Sequence, residues 1–499
     1  MGSDIFTCVG IEIRGGQEPL FLPLIRTLGE RHNSTIHLYV RSHEEEVAYR
    51  AHPERKLWQS VTNSNVHIPA LRAEGLVERD VISRARKYET IIAEPINRLA
   101  LSDRQLGFPF VAGAPRHPRA PFAEKASNTQ LLHALSEAAA FWESEIKAKG
   151  LTILLDGSKI MACMARAQEV PYRRLCISRY ESYFYWATDE YLTHPGLREA
   201  FDSLSEWPDV DIEAVYDVAL EKYLFVSLGM RWRSLAKQMV MNSLRHFYYK
   251  ARGMERGRAM SWRSMAFYPV MVRLAYNRFS KLAMATLKDL DGKTFVYYPL
   301  HKEPETALMQ SSPEHLNQHA TIISLARDLP AGVLLAIKEN PSAVGRRPKN
   351  FYNEIAAIKN VVWLRPDTAS IDVIKHAAAT VTISGTASME AAILGRPALT
   401  FSDRVSWNFL PHAVAITKES DLKTALDWAV NKFSDFDKAR RDGARFVAAL
   451  KMVSMDMTGY GRDKNKRVLL RPENVEAAYR GLCQSLNVEP FESSELEVA

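Results

Sequence analysis

TVTISGTASMEAAILGRPALTF, residues 380–401, compresses a strand, a turn, a helix and the start of another strand into one short run. Val381 and Ile383 alternate with hydroxyl side chains, as the end of a strand does. Met389, Ala391, Ala392, Ile393 and Leu394 then lead into Gly395, the pattern of a short apolar helix with a glycine stop. Only small residues separate the two, and the helix carries a single acid, Glu390. A strand, a small-residue turn and a helix start outline an anion site, because the first N–H groups of a helix have no partner inside it and glycine lets a ligand approach the backbone. Ser384, Gly385, Thr386 and Ser388 stand where a phosphate would be held, and Glu390 where a ribose diol could donate to it. The same letters also fit an ordinary Ser/Thr helix cap, with Ser384 or Thr386 and a nearby acid forming a capping box. Spacing leaves both readings open.

Working outward, the flanking text repeats the unit. KTFVYYPLHKEPE predicts a strand over 294–299 and a loop holding His301, Lys302 and Glu303, followed by a helix through HLNQHATIISLARDL. GVLLAIKENP and NVVWLRP read as further strands, and DVIKHAAA as a helix. The first 200 residues show the same alternation. A strand before Gly15 and Gly16, a helix from Glu18 to Arg31 and the strand IHLYV open it, and LTILLDGSKIMACMARAQEVPYRRLCIS repeats it. Residues 205–285 read instead as long helices. The expected fold is therefore α/β, with two Rossmann-like domains facing a cleft and a basic helical connector. Its expected boundaries are 1–204, 205–285, 286–470, and a C-terminal helix and tail over 471–499.

Bulk composition narrows the class. With 499 residues, 46% apolar and 25% charged, the chain suits two globular domains. Its four cysteines, Cys8, Cys163, Cys176 and Cys483, form no CxxC pair, which fits a reducing compartment and argues against a zinc or disulfide framework. No apolar run approaches the roughly eighteen residues of a membrane span, and the first residues lack the pattern of a secretory signal, so a cytoplasmic protein is expected. Charge is uneven. Residues 229–281 hold twelve Lys or Arg against Glu255 alone, a local +11 that leaves −4 for the rest of a chain of net +7. Aromatic and Met residues interleave with that charge as on an interfacial helix, so the expected partner of 229–281 is an anionic membrane surface, peripheral on the inner membrane. A helix pair with a solvated basic face is the alternative. No RNA-binding signature is present, and no nucleic-acid partner is expected.

Chemistry at a phosphate-bearing ligand calls for a cation beside the phosphate, and removal of a hydroxyl proton calls for a base. Lys302, Lys338 and His301 are the candidate cations, each of which could equally be solvated loop. Glu18 and Asp156, at the right edge of the first sheet, are the candidate bases; Glu18 could equally be a first-turn helix acid and Asp156 an N-cap. His315 and His319, four apart, have no third ligand and read as an exposed helix face. SRYESYFYW at 178–186 suits either sugar stacking or core packing. No metal and no cofactor are expected.

The stretch at 381–401 resembles the nucleotide-binding segment of the C-terminal domain in GT-B glycosyltransferases, and its layout is similar to that of UDP-N-acetylglucosamine 2-epimerases. FVYYPLHKEPE at 295–305, followed by AIKENP at 336–341, resembles the bacterial capsule and surface-polysaccharide proteins that include Kdo-transferase-like enzymes. The likeness covers about residues 290–415, and the N-terminal half only in the order of its elements. It implies a metal-independent glycosyltransferase of capsule or lipopolysaccharide assembly. A nucleotide-sugar donor, CMP-Kdo among the candidates, would bind through Lys338, Asn340, Ser384, Gly385, Thr386, Ser388 and Glu390 in the C-terminal domain. A glycan or lipid-linked acceptor would lie on the N-terminal domain, with Glu18, Asp156, His301 and Lys302 as catalytic candidates. The family usually shows a Lys-x-His-Pro-like sequence where this chain has Lys338-Glu339-Asn340-Pro341, and Asn340 cannot be protonated. A nucleotide-sugar 2-epimerase, a CDP-polyol phosphotransferase and a noncatalytic glycan-binding or export protein remain as alternatives.

Overall fold

The computed structural model describes residues 3–13, 18–102, 126–204, 232–253, 262–302, 308, 312–340, 343, 347–348, 350–462 and 468–491. Gly15, Gly16 and Glu303 lie outside them. The chain divides into two units, Met1–Ala100, Phe122–Ala200 and Leu450–Ala499 in the first, Leu101–Pro121 and Phe201–Ala449 in the second. Each is described by itself.

The first unit lays down strands β1 (Cys8–Glu12), β2 (Thr35–Val40), β3 (Ser60–Asn63), β4 (Ile153–Leu155), β5 (Tyr172–Ile177) and β6 (Tyr183–Ala187). Helices α1 (Glu18–His32), α2 (Asn128–Lys149) and α3 (Lys159–Ala167) connect or flank them. Strand β1 is buried along its whole length, as the central strand of a sheet covered on both faces must be. Helix α2 starts at a capping box between Ser127 and Gln130.

Two helices follow, α4 (Trp232–Ala251) and α5 (Trp262–Phe279), and belong to the second unit. That unit then builds β7 (Phe295–Pro299), α6 (Gln318–Asp328), β8 (Leu334–Lys338), β9 (Val361–Leu364), α7 (Ser370–His376), β10 (Ala379–Thr382), α8 (Thr386–Ile393), β11 (Ala398–Thr400), β12 (Ala413–Ala415) and α9 (Phe436–Met452). The stretch at 380–401 is thus β10, turn, α8 and β11. Gly395 ends the helix with φ +68°, and a Cβ there would lie 2.5 Å from the backbone nitrogen of Arg440.

The last segment differs from expectation. Strand β13 (Met455–Asp456) pairs antiparallel with β6, and helix α10 (Pro472–Ser485) buries Ala478, Tyr479, Leu482 and Cys483 in the first unit's core. Residues 450–470, expected in the C-terminal domain, therefore belong with the first unit, because the edge of its sheet and one side of its core are completed by them.

Sheet order is β13-β6-β5-β4-β1-β2-β3 in the first unit and β12-β11-β10-β7-β8-β9 in the second. The second sheet is parallel throughout; the first is parallel from β5 to β3, with β6 and β13 antiparallel. In each sheet the first strand laid down is central, and the chain reverses direction beside it. Two Rossmann-like units with the same switch point are the result, between β1 and β4 in one and between β7 and β10 in the other. All four cysteines are free thiols. Among the described residues no helix is long and apolar enough to cross a membrane.

Candidate functional site

Ligands of such sheets bind outside the carboxyl ends of the strands at the switch point. In the second unit those ends are the residues after β7 and β10. His301, two residues past β7, is buried, and its backbone is clamped by Gln318, whose side-chain oxygen accepts the His301 N–H at 2.8 Å while its amide donates to the His301 carbonyl at 3.1 Å. The imidazole Nε2 accepts the Ser384 N–H at 3.4 Å, and a Cβ on Gly385 would meet the ring at 3.1 Å. His301, Ser384 and Gly385 are thus brought together, and a Cβ at position 385 would press on the ring although its φ of −84° suits any residue. Lys302 follows, half-buried.

The turn has its own wiring. Gly385 N–H donates to Thr382 Oγ1 (3.1 Å), Thr382 donates to Ser388 Oγ (2.8 Å), and Ser388 donates back to the Gly385 carbonyl (2.8 Å). Ser388 is fully buried, so its hydroxyl closes the turn and does not face a ligand, which corrects the expectation that it holds a phosphate. Gly385 is the N-cap of α8 and no side chain caps it. The capping-box alternative therefore does not hold, and Thr386, half-buried, opens a helix whose first N–H groups no side chain satisfies.

One turn into α8 stands Glu390, half-buried. Burial pushes its carboxyl up to about 7, against the opposing pull of Lys338. Lys338 ends β8; burial lowers its ammonium to about 8, with Glu390 and Asp367 pulling the other way. Its Nζ donates to the Thr368 carbonyl at 2.7 Å and to Ser370 Oγ at 2.6 Å, and Ser370 also accepts from Tyr297 OH at 3.2 Å. Lys338, at the end of β8, and Glu390, within α8, thus feel each other's charge, while Ser370 and the Thr368 carbonyl hold the lysine.

Asn340 follows Lys338 by two residues and is held by its neighbour: its N–H donates to Glu339 Oε1 at 2.8 Å. Glu339 is fully buried and takes two bonds from Arg347, at 2.9 and 3.0 Å, and one from Tyr352 OH at 2.9 Å. Arg347 also donates to the His301 carbonyl at 2.5 Å. One buried guanidinium therefore ties the loop after β7 to the loop after β8.

The first unit places charge at its own switch point. Asp156, one residue past β4, is fully buried with φ +57° and lies 3.6 Å from the Arg174 guanidinium. It is not an N-cap; that place is taken by Ser158, which accepts the Met161 N–H. Glu12, the last residue of β1, is buried, accepts from Ser64 at 3.3 Å and pairs with half-exposed Arg41. Glu18 is elsewhere in the unit. It opens α1 as a first-turn acid, beside His52 at 3.8 Å and close enough to hydrogen-bond Tyr49.

His315 sits in a short turn before α6, its ring tilted against Phe401 with centroids 4.6 Å apart, and His319 lies in α6 beside Glu354 at 3.3 Å, so they do not share one exposed helix face. Among the described residues no group of three or more His, Cys, Asp or Glu could hold a metal. Of the 178–186 cluster, Tyr180, Tyr185 and Trp186 are core, and Trp186 donates to the Ala478 carbonyl at 2.9 Å.

No family model and no curated protein matches the chain. Solved structures do. One is the UDP-GlcNAc 2-epimerase of Neisseria meningitidis bound to UDP-GlcNAc, at 10% identity and TM-score 0.28 over 90% of this chain and 98% of that one. Another is KpsC of Thermosulfurimonas dismutans, a beta Kdo 2,4 transferase, at 11% and 0.28 over 60% and 80%. A UDP-glucose: anthocyanidin 3-O-glucosyltransferase in complex with UDP follows at 13% and 0.29 over 97% and 99%. At such identities and TM-scores these likenesses say nothing of what this chain binds or transfers.

Sequence reasoning missed Glu12, Arg41, Arg174, Arg347, Ser370 and Tyr297. Glu12 carried a signal, an acid inside an apolar strand run. The arginines carried none, since no spacing rule ties them to the carboxylates they meet.

Proposed function

We propose that this chain is a glycosyltransferase that takes a nucleotide-activated sugar at the switch point of its second unit. The observation that carries the reading is Glu390 one turn into α8, under the charge of Lys338, in a helix whose glycine N-cap has no side chain to cap it and whose entry turn rests on His301. The start of α8 suits a phosphate, and the carboxylate behind it suits a ribose diol. The charge of Lys338 opposes the upward push of burial on the Glu390 carboxyl, favouring the ionised form that accepts two hydroxyls. His301 and Lys302 lie at the phosphate end of this arrangement. In the first unit the Glu12–Arg41 pair, with its exposed guanidinium, is the group proposed to meet a polyhydroxylated acceptor, and Asp156 would act as base only once opening of its pair with Arg174 uncovers it. A bacterial surface glycan is the acceptor class proposed, and CMP-Kdo is one donor to be tried.

The test is a thermal-shift panel of CMP, CDP, UDP and GDP on the wild type and on Glu390→Ala. A nucleotide at 100 times its dissociation constant adds about 2.7 kcal/mol to the folded state. One nucleotide should stabilise the wild type and not the variant; no response to any of the four would remove the site. With the nucleotide known, its sugar conjugate separates transfer from epimerisation. Transfer releases nucleotide in quantity only when glycan is added, whereas turnover of the conjugate without acceptor would make the chain a 2-epimerase.

A further inference from the structure

Ten of the nineteen large apolar side chains exposed among the described residues lie on α4 and α5, so the exposure is concentrated on one helical pair. Its arrangement is regular. At 100° per residue, Leu235, Met239, Asn242 and His246 fall on one side of α4, and all are buried or half-buried where α4 packs against α5. Val240, Leu244 and Phe247 fall on the opposite side, flanked by Met241 and Tyr248, and all five are exposed. Helix α5 repeats the pattern: Phe267, Met271, Leu274 and Arg278 are exposed at the same i, i+4, i+7, i+11 spacing, while Ala266 and Phe279 are buried. A helix that buries one side and leaves a second apolar stripe in water has an unmet partner.

Charge says which partner. Neither helix contains an Asp or Glu. On the wheel of α4 the exposed Arg245 and Lys250 lie on opposite borders of the apolar stripe, and exposed Arg233 and Lys237 lie within its N-terminal half. A second copy of this chain would press the same unopposed positive charge against itself. An anionic bilayer accepts both features, apolar side chains in the acyl boundary and cationic heads at the phosphates, and helices too polar to cross it lie in its surface.

We propose that the exposed faces of α4 and α5 dock this protein on an anionic lipid bilayer, through the stripes of Val240, Leu244 and Phe247 and of Phe267, Met271 and Leu274. This surface is independent of the transfer reading and stands or falls alone. The experiment is co-sedimentation of the full chain with vesicles of phosphatidylcholine alone and of phosphatidylcholine with phosphatidylglycerol, alongside Leu244→Ser/Phe247→Ser and Arg245→Gln/Lys250→Gln. Expected are binding to the anionic vesicles only, a loss of at least tenfold in the apolar variant, and a loss of about fivefold per charge removed at low salt in the basic variant. Both variants change exposed side chains, and each should keep the wild-type circular dichroism and melting temperature. Absence of binding to anionic vesicles overturns the proposal, as does equal binding by the apolar variant. A concentration-dependent dimer that Leu244→Ser/Phe247→Ser dissolves would make the face a contact between copies and overturn it too.

Discussion

Burial acts against charge at both Glu390 and Lys338, raising one toward about 7 and lowering the other toward about 8. Both are charged together only in that narrow interval, and the two titration steps belong to the pair. Nucleotide affinity measured by calorimetry should therefore be bell-shaped with its maximum between about pH 7 and about pH 8, and Glu390→Gln should flatten the acid limb. A flat wild-type profile would take Glu390 out of the site. Stability carries the same sign. Because the folded-state pKa of Glu390 lies above the ordinary carboxylate range, its contribution is complete below that range and is lost as pH rises through about 7. The melting-temperature difference between Glu390→Gln and wild type should consequently move in favour of the variant from pH 5 to pH 8.

At the scale of elements, the loops after β7 and β8 are held by Arg347, whose guanidinium meets the Glu339 carboxylate and the His301 carbonyl. Removing one partner of a buried pair strands the other charge, so Arg347→Met should cost about 3–5 kcal/mol in urea unfolding. Adding Glu339→Gln should recover part of that loss. The glycines separate two kinds of constraint. Gly385→Ala should cost about 1 kcal/mol or less, since its φ is ordinary, yet abolish the nucleotide-dependent shift by displacing His301. Gly395→Ala meets backbone at positive φ and should cost about 1–3 kcal/mol. These elements were largely legible: alternation gave β10, the apolar run gave α8, and Gly395 marked its end. What could not be read was direction. Ser388 and Thr386 are both hydroxyls two apart, and only the packing of α8 on the sheet decides that Ser388 points inward. Arg347 was invisible for a related reason, since a separation of eight residues places no restriction on which carboxylate it finds.

Over the whole molecule, the two units share a strand order, and their switch points carry opposite provisions: an uncapped helix start with Lys338 and Glu390 in one, paired carboxylates and guanidiniums in the other. The equal order was implied by the repeated strand-loop-helix text. The return of β13 and α10 to the first unit was not, because β13 is two residues long and gives no periodic signal. Truncation after residue 449 removes Met455, Met457, Ala478, Tyr479, Leu482 and Cys483 from the first unit's core. It should leave that unit without fixed tertiary structure, seen as protease-sensitive peptides from residues 1–200, while the second unit stays resistant; resistance of both would show that α10 is dispensable. The route of the chain also sets a timetable at the ribosome. The half that is synthesised first cannot close until the last helix has emerged, whereas the half synthesised second has all its strands beforehand. Folding in the cell should run against the order of translation, and nascent chains should expose the α10-binding face of the first sheet to chaperones from the emergence of β6 until that of α10.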